Sequence, residues 1–194
     1  MPSPGSIKGR ASSITAAFVQ AIVPAVEPTE KEVDQVLSML GMSRGACRCA
    51  YCGDPTTEWD HFRPLVVEQR PTGYITEIAN LVPACGKCNQ SKGNKSWKAW
   101  IRSAAPRSPA TRSIASLDEK VRRLEAFEGW RTPTKMNFEA EVGAEFWRAH
   151  WENLARFFSL MDECEIHARA LRKKIEEKWA EPGGFCGAKP TQDH

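Results

Sequence analysis

Two Cys-x-x-Cys pairs, Cys49-Ala50-Tyr51-Cys52 and Cys85-Gly86-Lys87-Cys88, stand 32 residues apart in a chain of 194. Such a turn lets two thiolates converge on one ion, and two turns complete the tetrahedral four-sulfur shell that zinc takes in closed structural sites. With every position filled by sulfur there is no place for water. The Zn²⁺ implied here is therefore structural, and in so short a module its binding energy becomes folding energy. Cys47 is close enough to stand in for Cys49, but the spacing to Cys52 and the Gly53 that follows favour Cys49. Between the pairs lie Glu58-Trp59-Asp60-His61-Phe62-Arg63-Pro64 and then Asn80-Leu81-Val82-Pro83, and Asn89 follows the second pair directly.

Those residue types suit phosphodiester hydrolysis. The reaction needs a base to activate water, a cation to neutralise charge on the phosphoryl oxygens, and groups that hold both in line. His61 is the one histidine of the segment, and an imidazole with an ordinary pKa of about 6.5 can serve as a base at neutral pH. Asp60 offers a hard carboxylate oxygen and Asn89 a carboxamide oxygen. Together they form an all-oxygen, weakly charged site suited to Mg²⁺ or Mn²⁺. Neighbours on an ideal strand point to opposite faces, so Asp60 and His61 can share a site only where the strand bends or ends. Pro64 is consistent with such an end.

The order C-x-x-C, D-H-x-x-P, N-L-x-x-x-C-x-x-C-N-x-x-K over about residues 49–100 resembles the HNH nuclease family of the ββα-metal type. The resemblance implies that His61 is the general base, that Asp60 and Asn89 hold the catalytic metal, and that Asn80 orients the loop carrying the histidine. Asn89 stands where the family more often has histidine, making this an H-N-N variant. The implied activity is a DNA endonuclease of a bacterial or phage restriction or defence system. Two other readings remain open: a zinc-stabilised nucleic-acid-binding module without catalysis, and an RNA-directed nuclease using the same residues. The binding module would have no need of Asp60, His61 and Asn89 together.

Several elements must position these groups. Thr29 and Glu32 read as a capping box, and Val33, Val36, Leu37 and Leu40 follow at helical spacing before Gly41. Short β-like runs are expected at 56–59 and 73–75. Asn89 is expected to open a helix carrying Lys92, Lys95 and Lys98 one turn apart, with Trp97 and Trp100 toward the core. With Arg63, these lysines are the expected phosphate contacts. From Cys85 to Arg107 there is no Asp or Glu. Ser116 and Glu119 read as a second capping box, opening a helix that Gly129 ends. A long helix over about 143–179 carries Trp147, Trp151, Leu154, Phe158, Met161, Cys164, Ala168, Leu171 and Ile175 as an apolar stripe. Such a stripe packs on the rest of the chain or on a second copy, and a homodimer would present two sites to a duplex.

The expected fold class is α+β and mainly helical. A zinc-bound ββα-metal module at 44–105 sits in a helical scaffold, after an arm and helix at 1–43 and before a helical region at 106–194. The net charge of +3 is small, so attraction to DNA must come from where the charges sit. Seven cysteines exclude a fully paired intrachain disulfide framework, and the two pairs point to metal in a reducing compartment, the prokaryotic cytosol. No apolar run reaches the roughly 18 residues needed to span a bilayer, so no membrane partner is expected. The mildly apolar segment 14–26, broken by Gln20 and Pro24, reads as a loose helix or a docking arm rather than a signal. His150, His167 and Cys164 are assigned to the long helix, and Cys186 to the tail.

Overall fold

The computed structural model describes residues 5–56 and 58–180, so Cys186 lies outside the described residues. The chain divides into two compact units, one of residues up to Ile14 together with those from Arg148, the other Thr15–Trp147. Helix α1 (Ala11–Gln20) is followed by α2 (Glu30–Met39), whose Thr29 cap and Glu32 form the expected reciprocal hydrogen bonds. Strand β1 (Glu58–His61) pairs antiparallel with β4 (Leu81–Ala84), with His61 opposite Leu81 and Asp60 opposite Val82. Between them a two-residue ladder joins β2 (Val66–Val67) to β3 (Arg70–Pro71). The expected run at 73–75 is not a strand; Tyr74 makes only an isolated bridge to Lys135.

After β4 come α3 (Gly86–Lys92), α4 (Trp97–Ile101), α5 (Leu117–Trp130) and α6 (Phe138–Val142). The core of this unit gathers Leu40 of the chain after α2, Tyr51, Phe62, Trp97, Trp100 and Phe127. Phe62 stacks on Trp97 with centroids 5.2 Å apart and meets Phe127 edge-on at 5.1 Å. These aromatic contacts tie the residue next to His61 to α4 and α5, and each is worth about 0.5–1.5 kcal/mol beyond area burial.

Two local expectations are corrected. Ser116 has φ 55° and makes no side-chain cap, because in the left-handed region its hydroxyl does not meet the first turn's N–H groups, and α5 runs on through Gly129 to Trp130. The expected single basic helix is two helices. Gly93, with φ +51° and ψ −126°, ends α3 in a conformation that a side chain would disfavour.

Helix α7 (Ala144–Ala180) is the expected long helix. Its stripe is buried only in part, at Trp151, Leu154 and Met161, while Leu171 and Ile175 are exposed and Cys164 faces solvent. In the unit that contains most of α7, Glu165 is buried and accepts hydrogen bonds from the Ile7 N–H at 2.7 Å and from Ser6 Oγ at 3.1 Å. That carboxylate sits where the 3₁₀ turn Lys8–Arg10 begins, and a helix start favours negative charge. Among the described residues, no helix is long and apolar enough to cross a membrane.

Candidate active site

The four sulfurs of Cys49, Cys52, Cys85 and Cys88 lie within 4.8 Å of one another, and all four residues are buried. A tetrahedral centre with metal–sulfur bonds of about 2.3 Å has sulfur–sulfur edges of about 3.8 Å. The Cys52 to Cys85 separation is 3.6 Å, so the donor set could hold a metal ion with little movement. Cys47 stands apart and half-buried, which leaves Cys49 as the fourth ligand. The knuckles are fixed by the backbone: the Cys49 N–H donates to the Asp54 carbonyl, and the Cys85 carbonyl accepts from the Cys88 and Asn89 N–H groups. Cys85 is the N-cap of α3. Asn89 is therefore within the helix rather than its cap.

His61 is the last residue of β1, where the strict alternation of faces ends. Its Nε2 is 2.9 Å from Thr76 Oγ1, and among the described residues Nδ1 has no hydrogen-bond partner. If Nε2 carries the ring proton and donates to Thr76, Nδ1 is the lone pair that can accept one. Thr76 is itself pinned: its N–H donates to the Pro24 carbonyl and its carbonyl accepts from the Val26 N–H. Fully buried Asn80 spends its amide on the chain after His61. Its Oδ1 accepts from the Arg63 N–H at 2.8 Å, and Nδ2 donates to the Arg63 carbonyl at 3.2 Å and to the Ile75 carbonyl at 3.4 Å.

Asp60 is 4% exposed. Tyr51 donates its hydroxyl to Oδ2 at 2.7 Å, and Lys92 Nζ lies 3.1 Å from Oδ2 and 3.3 Å from Oδ1. The same ammonium donates to the His61 carbonyl at 2.9 Å and the Gly93 carbonyl at 3.2 Å. Lys92, fully buried, thus closes α3 onto β1. Asn89 lies three residues before it, and residues so spaced share a helix face. Asn89 itself is half-buried.

Comparison with known proteins now bears on this geometry. The HNH endonuclease family matches residues 49–95. Residues 49–95 are an HNH endonuclease domain. The chain is 30% identical over 146 residues, 73% of its length, to a CRISPR-associated endonuclease Cas9 of Corynebacterium diphtheriae. It is 28% identical over 129 residues, 64% of its length, to the protein of the same name in Actinomyces naeslundii. It spans only 13% and 10% of those relatives. No solved structure matches the chain.

Within the HNH domain the expected lysine face is corrected. Lys92 is not exposed but occupied by Asp60, so it does not offer its charge to a phosphate. Lys98 lies on α4 and pairs with Glu128 at 2.8 Å, and Arg102 pairs with Asp118 at 2.6 Å. Both acids come from α5, which supplies the negative charge that residues 85–107 lack. Lys95 is exposed and reaches back to the Ser91 carbonyl at 3.0 Å. Arg63 lies over the Phe62 and Tyr74 rings at 5.6 and 5.9 Å, and its buried Nη1 has no hydrogen-bond partner among the described residues.

Burial sets the charge states. It raises the Asp60 carboxyl above its ordinary value, against the pull of Lys92 and Tyr51, and lowers the Lys92 ammonium. Burial first and the Lys92 charge second lower the His61 imidazole from 6.5 to about 4, so His61 is neutral at pH 7 and ready to accept a proton. The unfolded chain therefore binds a proton between pH 6.5 and about 4 that the folded chain does not. Stability should fall as pH drops through that window and this contribution should stop changing below it. An NMR titration of the His61 ring in zinc-loaded protein without Mg²⁺ is expected to show a midpoint near 4; a midpoint at 6.5 would contradict this.

The Lys92 and Asp60 pair gives a second expectation. Lys92→Met leaves a buried carboxylate without its cation and should cost about 3–5 kcal/mol. Adding Asp60→Asn should recover part of the loss, because the uncompensated charge is gone while Tyr51 keeps an acceptor. Denaturant melts of the two single variants and the double variant measure this, and additive costs would contradict it.

The sequence reading assigns Lys92 to phosphate rather than to Asp60, and assigns no task to Tyr51 or Thr76. Tyr51 sits inside the first Cys-x-x-Cys pair and Lys92 ends the C-N-x-x-K element. Nothing local marks Thr76.

Proposed function

We propose that the chain is a metal-dependent endonuclease unit that hydrolyses DNA phosphodiester bonds, with His61 as general base. The observation that carries the reading is a neutral imidazole at the end of β1, with Nε2 held by Thr76 and Nδ1 unoccupied, beside a buried carboxylate. His61 Nδ1 takes the proton of the attacking water. Thr76 fixes the ring, and Asn80 holds the chain that follows it. The oxygen donors fit a hard divalent cation: a carboxylate offers about four lone-pair positions, of which Tyr51 and Lys92 use three. Asp60 and Asn89 would hold Mg²⁺ or Mn²⁺, which when bound supplies positive charge for the phosphoryl and 3′-oxygens. The four thiolates suit Zn²⁺, with no open position and hence a structural task.

Of the basic groups, Lys95 suits phosphate best for its exposure, whereas Arg63 has a buried, unpartnered Nη1 and an Nη2 3.9 Å from Glu128. The CRISPR association in the relatives' names favours the RNA-directed reading over a free-standing restriction enzyme. Neither needs a second copy of the chain.

The test is incubation of the zinc-loaded chain with Mg²⁺ and end-labelled single-stranded DNA, duplex DNA and RNA of one sequence. Cleavage of DNA to 5′-phosphate and 3′-hydroxyl ends is expected. Binding without cleavage of any strand would favour the non-catalytic module instead.

A further inference from the structure

Four thiolates around a divalent cation carry a net charge of −2, and here all four sulfurs are buried. An uncompensated charge in such a place is costly. Arg112 brings a cation to the cluster. Arg112 Nη1 is 3.6 Å from Cys88 Sγ, while Nη2 donates to Asp54 Oδ2 at 2.7 Å. Asp54 belongs to the first knuckle: its N–H donates to Cys52 Sγ at 3.4 Å and its carbonyl accepts from the Cys49 N–H. Lys87 Nζ lies 3.8 Å from the same Asp54 oxygen, so two cations share one carboxylate and a positive excess faces the sulfurs.

The position of Arg112 is built rather than incidental. Ser108 is fully buried; its hydroxyl donates to the Ser103 carbonyl at 2.6 Å and accepts from the Thr111 N–H at 3.1 Å. The Ser108 carbonyl in turn accepts from the Arg112 N–H at 3.0 Å. The turn that delivers the guanidinium is thereby fixed on a side chain with no exposure. Arg112 lies outside the residues matched by the HNH family, so nothing in that match assigns it a task.

We propose that Arg112, clamped by Asp54, is the counter-charge of the four-cysteine centre and sets how tightly the metal is held. It is a positioning residue that touches a ligand, not the ion. The proposal rests on reading the four cysteines as a zinc site.

Metal content of the purified full chain comes first, since a native chain that takes up no zinc would sink the zinc reading itself. Competition against a chromophoric chelator then compares native chain, Arg112→Met and Arg112→Lys. Removing the charge should raise the dissociation constant for zinc about 10- to 100-fold, the usual effect of losing such an outer contact. Arg112→Lys keeps the charge and should retain most of the affinity. Cobalt-substituted samples should show the same four-sulfur spectrum throughout, so that the weakening is not a lost ligand. A Met variant that holds zinc as tightly as the native chain overturns the proposal, as does a Lys variant as weak as the Met variant. Should Arg112→Met fail to fold at saturating zinc, the Lys variant decides alone: tight binding supports the counter-charge and weak binding overturns it.

Discussion

His61→Ala is expected to lower DNA cleavage by about 10²- to 10⁴-fold while leaving the fold and the metal content of the cysteine cluster unchanged. The ring makes one side-chain hydrogen bond, to Thr76, and sits at a strand end, so its removal opens a small gap without stranding a buried charge. Thr76 keeps both backbone hydrogen bonds to the segment Pro24–Val26 whether or not the ring is there. Asn80 still staples the Arg63 backbone. What is lost is the only neutral imidazole in the HNH domain, and at pH 7 no other group there can take its place. Asp60 is already committed to Tyr51 and Lys92, and a carboxylate engaged by two donors is a poor proton acceptor. The measurement is single-turnover cleavage of labelled DNA beside zinc content and thermal melting of both proteins. Native-like cleavage by the variant would remove His61 from the mechanism. Thr76→Val, which only frees the ring to turn, should cost less than His61→Ala, and equal losses would mean that ring placement rather than basicity is limiting.

The parts of this site legible in the sequence are those whose chemistry is tied to local spacing. Two Cys-x-x-Cys turns mean two converging sulfur pairs wherever they fold, and Asp60 and His61 at a strand end are adjacent by covalent bonding alone. Thr76 could not be found that way, because its hydroxyl reaches His61 only after the loop before Asn80 is stapled back by that asparagine. Lys92 was misjudged for a related reason. A count of charge along residues 85–107 sees six cations and no anion, but folding brings Asp60 from β1 and Asp118 and Glu128 from α5 against three of them. The helical pattern joining Lys92 to Lys98 was sound as periodicity; Gly93 broke it. At Ser116 the residue type was that of a cap and the backbone conformation was not. On α7 the apolar stripe predicted a long helix correctly, yet Leu171 and Ile175 on that stripe are exposed. Periodicity reports which face is apolar and says nothing of where its cover stops.

Stripping the metal from the cysteine cluster, or replacing Cys85 with serine, should have the largest effect on stability. Zinc bound to a four-ligand site in small domains contributes about 10–16 kcal/mol of apparent binding energy at neutral pH. That matches or exceeds the net stability of about 5–15 kcal/mol of an ordinary domain. The cluster ties the first knuckle to the corner between β4 and α3, through the Ala50 N–H on the Pro83 carbonyl and through Cys85 as the N-cap of α3. The hydrogen bond to Cys52 pushes the Cys49 thiol above its ordinary value. Without the ion the corner keeps those backbone bonds, the Tyr51 hydroxyl on Asp60, the Tyr51 and Trp100 ring contact and the Lys92 pair. Because β4 is the one strand paired with β1 among the described residues, losing the corner loosens the strand that ends in His61. Chelator-treated protein should therefore lose the cooperative melting of the unit Thr15–Trp147 and its cleavage together, and regain both on adding Zn²⁺ before Mg²⁺. The long helix α7, most of which belongs to the other unit, should keep its helical signal in far-ultraviolet circular dichroism. If the melt is unchanged after verified metal loss, the aromatic cluster of Phe62, Trp97 and Phe127 suffices to hold the domain, and the metal does not.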